Sequence, residues 1–115
     1  MNILIVNGSG AIGSSIVEEL KGLDVNLIIT SSSGEKVHNL DSFKWRYKGS
    51  SSVDELFSII KDQYESIDSV VNCLGSIFLK PAHLTKEEDL DFTLDINLKS
   101  SFFILKNAIP LMRKN

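Results

Sequence analysis

The chain contains a single cysteine, Cys73, so it cannot form an internal disulfide. Small secreted domains commonly depend on several disulfides, and this sequence lacks that framework. One free thiol agrees with a reducing compartment. No feature of the neighbouring sequence suggests activation of this thiol, so we predict that Cys73 packs as a small side chain and is not a nucleophile.

Long apolar runs and clusters of positive charge are also missing. No apolar run approaches the roughly 18 residues of a membrane span, and the N-terminus lacks the pattern of a secretory signal, so we expect a cytoplasmic protein. The 12 Lys and Arg against 15 Asp and Glu leave a net charge of −3. We therefore predict neither a nucleic-acid nor a membrane partner. His38 and His83 lie apart without metal-ligand spacing, so no metal site is predicted.

The N-terminal stretch contains a strand signal followed by closely spaced glycines. With 43% hydrophobic residues, the 115-residue chain can bury one core, which predicts a single domain, residues 1–115. The aliphatic run from Ile3 to Val6 is typical of a central parallel strand that is covered on both faces. Gly8 and Gly10 allow a sharp turn close to a ligand, and Gly13 allows a helix to pack near the strand.

A helix is predicted after this turn. Ile12, Ile16 and Leu20 recur every four residues, which is typical of an amphipathic helix, and Gly22 is predicted to follow its C-terminus. The first N–H groups of a helix lack intrahelical partners and carry the positive end of the dipole, so a pyrophosphate is a natural ligand. Strand, turn and helix in this order predict a dinucleotide site, and a glycine-rich turn without a ligand is the alternative. The candidate contacts are Gly8, Ser9, Gly10, Ala11, Ile12 and Gly13.

The second predicted strand, Val25 to Thr30, completes a βαβ unit. In dinucleotide folds an acidic residue after this strand binds the ribose 2′-hydroxyl of NAD, whereas NADP needs room and positive or hydroxylic groups. Ser31, Ser32 and Ser33 follow here without an acid, so the sequence favours NADP over NAD. Ser31 and Ser32 are candidate contacts, and an ordinary loop from Ser31 to Gly34 is the alternative.

An edge strand and a helix are predicted next. Aromatic Phe43, Trp45 and Tyr47 alternate with basic Lys44, Arg46 and Lys48, a period of two that is typical of a strand with one exposed face. This fits the outer position of the third strand in a sheet of order 3-2-1-4, where lysines also discourage edge pairing. Ser52 and Glu55 form the predicted capping box of the following helix. Its predicted buried face contains Val53, Leu56, Phe57, Ile60 and Tyr64.

A fourth strand, Ser69 to Cys73, is predicted to lie beside the first. Ligands of open α/β sheets bind beyond the carboxyl ends of the strands where the strand order reverses, which is between these two strands. Asn72, Cys73, Leu74 and Gly75 are therefore candidate cofactor contacts. We predict that Asn72 chiefly braces the sheet and that Gly75 allows close approach to a ribose.

The C-terminal segment is predicted to form a long helix that begins at a capping box of Thr85 and Glu88. Homo-oligomer contacts are expected through this helix, from Asp91 to Met112. It has two apolar faces, so one is expected to pack on the sheet and the other on a partner subunit or on other parts of the same protein. Asn97 is a poor helix former and needs either a site role or satisfied hydrogen bonds. The longer stripe contains Leu94, Leu98, Phe102, Leu105, Ile109 and Met112, and the second set contains Phe92, Ile96 and Phe103.

The segments VNGSGAIG, VVNCLG and LTKEEDLDFTLDINLKSSFFILKNAIPLM resemble, in order and spacing, the N-terminal half of the short-chain dehydrogenase/reductase family. The resemblance implies an α/β fold, a Rossmann-type doubly wound parallel sheet in three layers. It also implies an NAD(P)-dependent oxidoreductase that transfers a hydride between nicotinamide and a carbonyl or alcohol substrate. Asp95 to Asn97 matches a DxN element, which implies that Asn97 distorts the helix and supports catalysis through a water held by its backbone carbonyl.

Three departures from the family pattern are visible. Asn7 stands where a glycine is usual, and Tyr47 to Ser52 lacks the acid that commonly contacts adenine. Neither Tyr47 nor Tyr64 has a lysine four residues later, so the family's catalytic Ser and Tyr-x-x-x-Lys have no counterpart, and we expect the 115-residue chain alone to be inactive. The alternatives are a non-catalytic NAD(P)-binding regulatory module and a truncated subunit that acts mainly through helix-mediated association.

Overall fold

A four-stranded parallel sheet forms the centre of the computed structural model, which describes residues 1–77 and 79–112. Its strands are β1 (Asn2–Val6), β2 (Asn26–Ser31), β3 (Phe43–Lys44) and β4 (Ser69–Asn72). Their order, β3-β2-β1-β4, confirms the predicted topology. The central strand β1 pairs with both β2 and β4, and its last three residues are completely buried. The apolar run that follows Asn2 therefore forms the middle of the sheet, as predicted.

Helices cover both faces of this sheet. They are α1 (Ala11–Leu20), α2 (Ser50–Gln63), α3 (Glu87–Leu94) and α4 (Ser100–Ala108). A π-helical segment, Asp95–Lys99, joins α3 to α4, and short 3-10 turns span Ala82–Leu84 and Ile109–Leu111. Within the described ranges, no helix combines the length and the apolar character needed to cross a membrane.

The core is divided between the two faces of the sheet because successive strand residues point in opposite directions. Leu4, Val6 and Ile28 pack with residues of α2 and α4 on one face. Ile5 and Ile29 pack with residues that include Val17 of α1 on the other face. This arrangement gives the predicted three layers, with helix, sheet and helix stacked in that order.

Strand β3 is shorter than the predicted strand. It ends at Lys44, although the alternation of aromatic and basic residues continues to Lys48. Trp45 N still donates to Ser31 O at 2.8 Å. Because Ser31 is the last residue of β2, the residues after Trp45 have no strand residue beside them to pair with. The side chain of Trp45 instead donates from Nε1 to Ser52 O at 2.8 Å.

The two predicted capping boxes are wrong in register. Helix α2 begins at Ser50, so Ser52 lies inside its first turn, where its hydroxyl donates to Gly49 O at 2.6 Å. Helix α3 begins at Glu87, and it is the Asp89 carboxylate that accepts from Lys86 N at 3.0 Å. The observed N-cap residues are Gly49 and Lys86, which the Ser/Thr-x-x-Glu pattern does not identify.

The predicted buried face of α2 is confirmed, since Val53, Leu56, Phe57 and Ile60 are buried, but the buried faces of α1 and α4 differ in part from the predicted ones. In α1, Val17 is buried, whereas Ile12 is 72% exposed at the start of the helix. In α4, Ser100, Ile104 and Ala108 face the core, because these smaller side chains allow the helix to approach the sheet. The predicted stripe lies mostly outside: Leu94, Leu98, Phe102, Leu105 and Ile109 are 42 to 63% exposed.

Glycine substitutions test the close packing of the turn on β1. A Cβ on Gly13 would overlap Asn7 O and lie 2.8 Å from Gly8 Cα, and both are backbone atoms. We expect Gly13→Ala to lower the free energy of unfolding by about 1–3 kcal/mol, measured by urea denaturation. Gly22→Ala is the control, since no atom lies within 4 Å of its added Cβ. A Gly13→Ala variant as stable as Gly22→Ala would contradict the close packing of Gly13 on the backbone of Asn7 and Gly8.

Candidate functional site

A crevice of about 440 Å³ opens beyond the carboxyl ends of β1 and β4. It brings the beginning of α1 together with the segment after β4 and with the π-helical segment. These are three of the regions that the sequence singled out, and they meet where the strand order reverses. The residues that line the crevice are Ile12, Ile16, Val71, Asn72, Cys73, Leu74, Gly75, Ser76, Ile77 and Asn97.

The turn between β1 and α1 begins with Asn7 in the left-handed region, with φ of 62°. Its backbone N–H donates to Thr30 Oγ1 at 2.9 Å, and Gly8 N donates to Thr30 O at 2.8 Å, which ties the turn to β2. Its side-chain Nδ2 donates to Cys73 O at 3.3 Å, which ties it to the end of β4. Asn7 departs from the glycine that is usual in the family, and asparagine is one of the few other residues that adopt this conformation readily.

Two glycines allow the chain to pack tightly around this turn. A Cβ on Gly8 would lie 2.5 Å from Ile29 Cγ2, and one on Gly13 would overlap the backbone of Asn7. Gly10 is less crowded, since the nearest atom to its Cβ would be Asn7 Nδ2 at 3.2 Å. The glycines therefore bring the first turn of α1 directly against the ends of β1 and β2.

The beginning of α1 fits an anionic ligand. Gly10 is the N-cap residue and offers no side-chain cap, and the first turn contains no acidic residue. The first backbone hydrogen bond into the helix runs from Ser14 N to Gly10 O at 2.8 Å. By contrast, α3 carries Glu87, Glu88 and Asp89 in its first turn. The first N–H groups of α1 therefore have no side-chain cap, and α2, with Gly49 as its N-cap residue, shares this feature.

The end of β4 is braced by Asn72. Its Oδ1 accepts from Leu74 N at 3.0 Å, and its Nδ2 donates to Ser101 Oγ at 3.1 Å, so it links the strand to α4. This is the bracing geometry expected of Asn72. Next to it, burial raises the pKa of the Cys73 thiol, which keeps the sulfur protonated and agrees with a packing role.

Asn97 lies in the π-helical segment and fastens the loop that follows β4. Its Oδ1 accepts from Ser76 N at 3.0 Å, and its Nδ2 donates to Ser76 O and to Thr93 O, each at 2.9 Å. Asn97 Oδ1 would be 3.1 Å from a Cβ on Gly75. The distorted helix is the feature that the resemblance implied at this residue, and the satisfied amide explains how asparagine is accommodated there.

Comparisons with known proteins agree with this architecture. The sequence model of the family described as "Enoyl-(Acyl carrier protein) reductase" matches residues 7–115. The chain belongs to the short-chain dehydrogenase/reductase family. It is 32% identical to the 3-oxoacyl-[acyl-carrier-protein] reductase FabG of Rickettsia bellii, over 97% of this chain and 48% of that protein. It is 30% identical to a tropinone reductase homologue of Arabidopsis thaliana, over 98% of this chain and 46% of the relative.

Solved structures share the fold of this short-chain dehydrogenase/reductase chain. The Thermoplasma acidophilum aldohexose dehydrogenase superposes with a TM-score of 0.85 at 23% identity, covering 96% of this chain and 44% of its own. A short-chain dehydrogenase/reductase of Serratia marcescens gives a TM-score of 0.83 at 21% identity, covering 97% and 52%. The chain spans about half the length of the curated relatives it matches.

The two serines predicted to contact the family's coenzyme are placed differently. Ser31 is 1% exposed, and its hydroxyl accepts from Gly34 N at 2.9 Å and shares a 2.7 Å hydrogen bond with Ser42 Oγ. That hydroxyl therefore holds the loop after β2 together. Ser32 is exposed and lines a separate pocket beside the residues that follow β3.

A hydrogen bond between Tyr47 and Asp95 was not predicted. Tyr47 Oη donates to Asp95 Oδ1 at 2.7 Å, which joins the segment after β3 to the beginning of the π-helical segment. Burial and the neighbouring Asp95 carboxylate raise the pKa of Tyr47 to about 12. The signal in the sequence was indirect: Asp95 belongs to the DxN element, and Tyr47 begins the segment that lacks the family's acid.

The raised pKa of Tyr47 predicts a pH dependence of stability. The pKa of Tyr47 in the folded protein lies above the ordinary value of 10.0. The stability that protonated Tyr47 contributes is therefore fully present below pH 10 and is lost as the pH rises through about 12. Alkaline titration of tyrosinate absorbance should show a component near 12 that Tyr47→Phe removes. The control Tyr64→Phe should retain that component. If Tyr47→Phe leaves the late component in place, that component does not belong to Tyr47.

Proposed function

We propose that this chain supplies the coenzyme-binding part of an NAD(P)-dependent oxidoreductase that interconverts a carbonyl and an alcohol. The observation that carries the proposal is the uncapped N-terminus of α1, which begins beside the crevice between β1 and β4. Membership of the short-chain dehydrogenase/reductase family supports it. Relatives named as a 3-oxoacyl-[acyl-carrier-protein] reductase and a tropinone reductase homologue support a reductase reaction on a carbonyl.

In this proposal the backbone N–H groups of the turn from Gly8 to Gly13 bind the pyrophosphate. Ser9, Gly10 and Ala11 contribute because they lie at the start of α1. Asn72 to Gly75 forms the opposite wall of the crevice. The bound coenzyme supplies or accepts the hydride. We favour NADP over NAD because the residues after β2 are serines, without an acid to bind a ribose 2′-hydroxyl.

Asn97 is proposed to be a positioning residue with a further part in proton transfer. Its side chain holds Ser76 by two hydrogen bonds, and this keeps the loop after β4 in place at the crevice. By resemblance to the family, its backbone carbonyl holds a water of the proton relay. The family's Ser and Tyr-x-x-x-Lys have no counterpart in these 115 residues, so we expect the chain alone to bind coenzyme without reducing a carbonyl.

An acidic residue at the start of α1 tests the proposed pyrophosphate site. Ala11 is the first residue of α1 and is exposed, so Ala11→Asp places a carboxylate where the phosphates would bind. The helix itself should tolerate or gain from this charge. We expect the affinity for NADPH and for NADH to fall by about 10-fold or more in calorimetric titration, with no loss of thermal stability.

The matched control is Ala82→Asp, which makes the same charge change at another exposed residue outside the residues lining the crevice. It should bind both coenzymes as the parent does. Equal affinities in the parent and both variants would show that a bound coenzyme does not use the α1 N-terminus. No measurable binding of either coenzyme to the parent would reject the proposed function.

We also propose that a second copy of the protein covers the exposed stripe of α3, the π-helical segment and α4. Phe102 is 60% and Leu98 is 63% exposed, and the neighbouring apolar side chains continue the surface along the helix. Large continuous apolar patches are typical of association surfaces, and a helix face can pair with its own copy about a twofold axis. This keeps the predicted association but assigns it to the face that points away from the core.

Sedimentation velocity tests this association. Phe102→Glu places a charge in the middle of the apolar stripe and should shift the protein toward the monomer at a given concentration. Ile59→Glu is the control, because Ile59 is an exposed apolar residue on α2, 46% accessible and apart from the stripe. The same sedimentation coefficient for the parent and Phe102→Glu would exclude this surface as the contact.

A further inference from the structure

Three polar side chains form a continuous hydrogen-bonded row along one side of α1. Ser14 Oγ lies 2.9 Å from His38 Nε2, and His38 Nδ1 lies 3.0 Å from Glu18 Oε2. Ser14 and Glu18 are four residues apart in α1, so they lie one turn apart on the same face of the helix. The imidazole of His38 bridges them through both of its nitrogens. We call these three residues the polar row, and they occur in the order hydroxyl, imidazole, carboxylate that activates a serine nucleophile.

The Glu18 carboxylate determines which nitrogen of His38 carries the proton. An ionised carboxylate can only accept a hydrogen bond, so His38 Nδ1 donates to Glu18 Oε2. In the neutral imidazole Nε2 is then the acceptor, and Ser14 Oγ donates its proton to it. This is the direction of hydrogen bonding in which a histidine acts as general base toward a serine hydroxyl.

Lys21 helps to keep this carboxylate ionised. Lys21 Nζ lies 3.0 Å from Glu18 Oε2, one turn further along α1. The hydrogen bond from Lys21, more than any other contact, lowers the pKa of Glu18. When His38 takes up a proton from Ser14, the imidazolium that forms therefore lies beside a negative charge that stabilises it.

A tight hairpin holds His38 against α1. Val37 and Leu40 exchange two backbone hydrogen bonds of 2.9 Å, and His38 and Asn39 between them have φ of 47° and 68°. Two central residues with positive φ are the mark of a type I′ turn. Val37 is 6% exposed and packs in one core cluster with Val17 of α1. A buried anchor therefore maintains the strained backbone at His38, and strain of this kind concentrates at functional sites.

The polar row lies on a different side of α1 from the crevice. Ile12 and Ile16 line the crevice, and Ser14 is two positions from each of them. Residues two positions apart are separated by about 200° around a helix axis. Ser14 is half-buried and the His38 side chain is 34% exposed, so solvent reaches both. A small molecule can therefore approach the polar row without entering the crevice.

We propose that the polar row is a hydrolytic triad that cleaves small activated carboxylic esters, an activity beyond the proposed function. Ser14 Oγ attacks the carbonyl carbon of the ester and gives its proton to His38 Nε2. The bond from that carbon to the alcohol or phenol oxygen breaks, and this leaving group takes the proton from His38. Water then attacks the acyl-serine with His38 again as base, which releases a carboxylic acid and restores Ser14. Ser14 and His38 are the catalytic residues, and Glu18 is a positioning residue.

Covalent labelling of the full chain tests the nucleophile directly. Diisopropyl fluorophosphate forms a P–O bond to an activated serine oxygen and loses fluoride, while the serine proton passes to the neighbouring base. We expect peptide mass spectrometry to find the adduct on Ser14, and we expect Ser14→Ala or unfolding in urea to abolish it. Ser15→Ala is the matched control and should keep the label, since the hydroxyl of this adjacent serine donates to Ala11 O at 3.1 Å.

Hydrolysis of p-nitrophenyl acetate tests the triad as a unit. We expect the parent to release p-nitrophenolate about 10-fold or more faster than Ser14→Ala, His38→Gln or Glu18→Gln. Glu18→Gln keeps the size of the side chain but removes the charge that stabilises the imidazolium, so it should lower kcat with little change in KM or in the unfolding midpoint. His83→Gln is the control for catalysis by a free imidazole, because His83 is the other histidine and is exposed. It should hydrolyse the ester as the parent does.

A label on Ser14 together with slower hydrolysis in all three triad variants supports the proposal. A folded parent that takes no label, or takes it on another residue, overturns the proposal whether or not the variants fold. Hydrolysis that survives Ser14→Ala but is lost in His38→Gln assigns the reaction to the imidazole alone and also overturns it. Coenzyme binding is measured separately, so failure of the triad leaves the oxidoreductase proposal standing.

Discussion

The candidate site depends on the backbone turn at Asn7. With φ of 62°, this residue sends the chain from β1 into α1 within a few residues. Its N–H is bound by β2 and its side-chain amide by the end of β4, so one residue connects three neighbouring strands. Gly13 then has room only for a hydrogen atom next to the Asn7 backbone. The position of the α1 N-terminus relative to the crevice follows from these contacts.

The central strand and the strand order could be predicted from the sequence. Ile3 to Val6 is a continuous apolar run, and such a run between a polar start and a glycine turn has few alternatives to a central strand. Strand order followed from the βαβ rule and from the alternation at Phe43 to Lys48, which matches an outer strand. These features are determined by local sequence and by topology, so the residues themselves carry the information.

Features that depend on long-range packing could not be read in the same way. Helical periodicity identifies two apolar faces in the C-terminal helix but not which one meets the sheet, and Ile104 and Ala108 face the core instead of Phe102 and Leu105. The Tyr47 to Asp95 hydrogen bond joins residues 48 positions apart. Asn97 was recognisable as an unusual helix residue, but its partner Ser76 became visible only with the fold.

Asn97 and Tyr47 show how the helix that carries the DxN element is fixed against the sheet from two sides. Asn97 binds the loop after β4, and Tyr47 binds Asp95 from the segment after β3. Both contacts fall on the π-helical segment, where the helix is widened and its hydrogen bonding departs from the regular pattern. In a regular α-helix the side chains of Asp95 and Asn97 would be separated by a different angle around the helix axis. The irregular turn and its two anchors therefore form one unit, and they position the crevice wall opposite the α1 N-terminus.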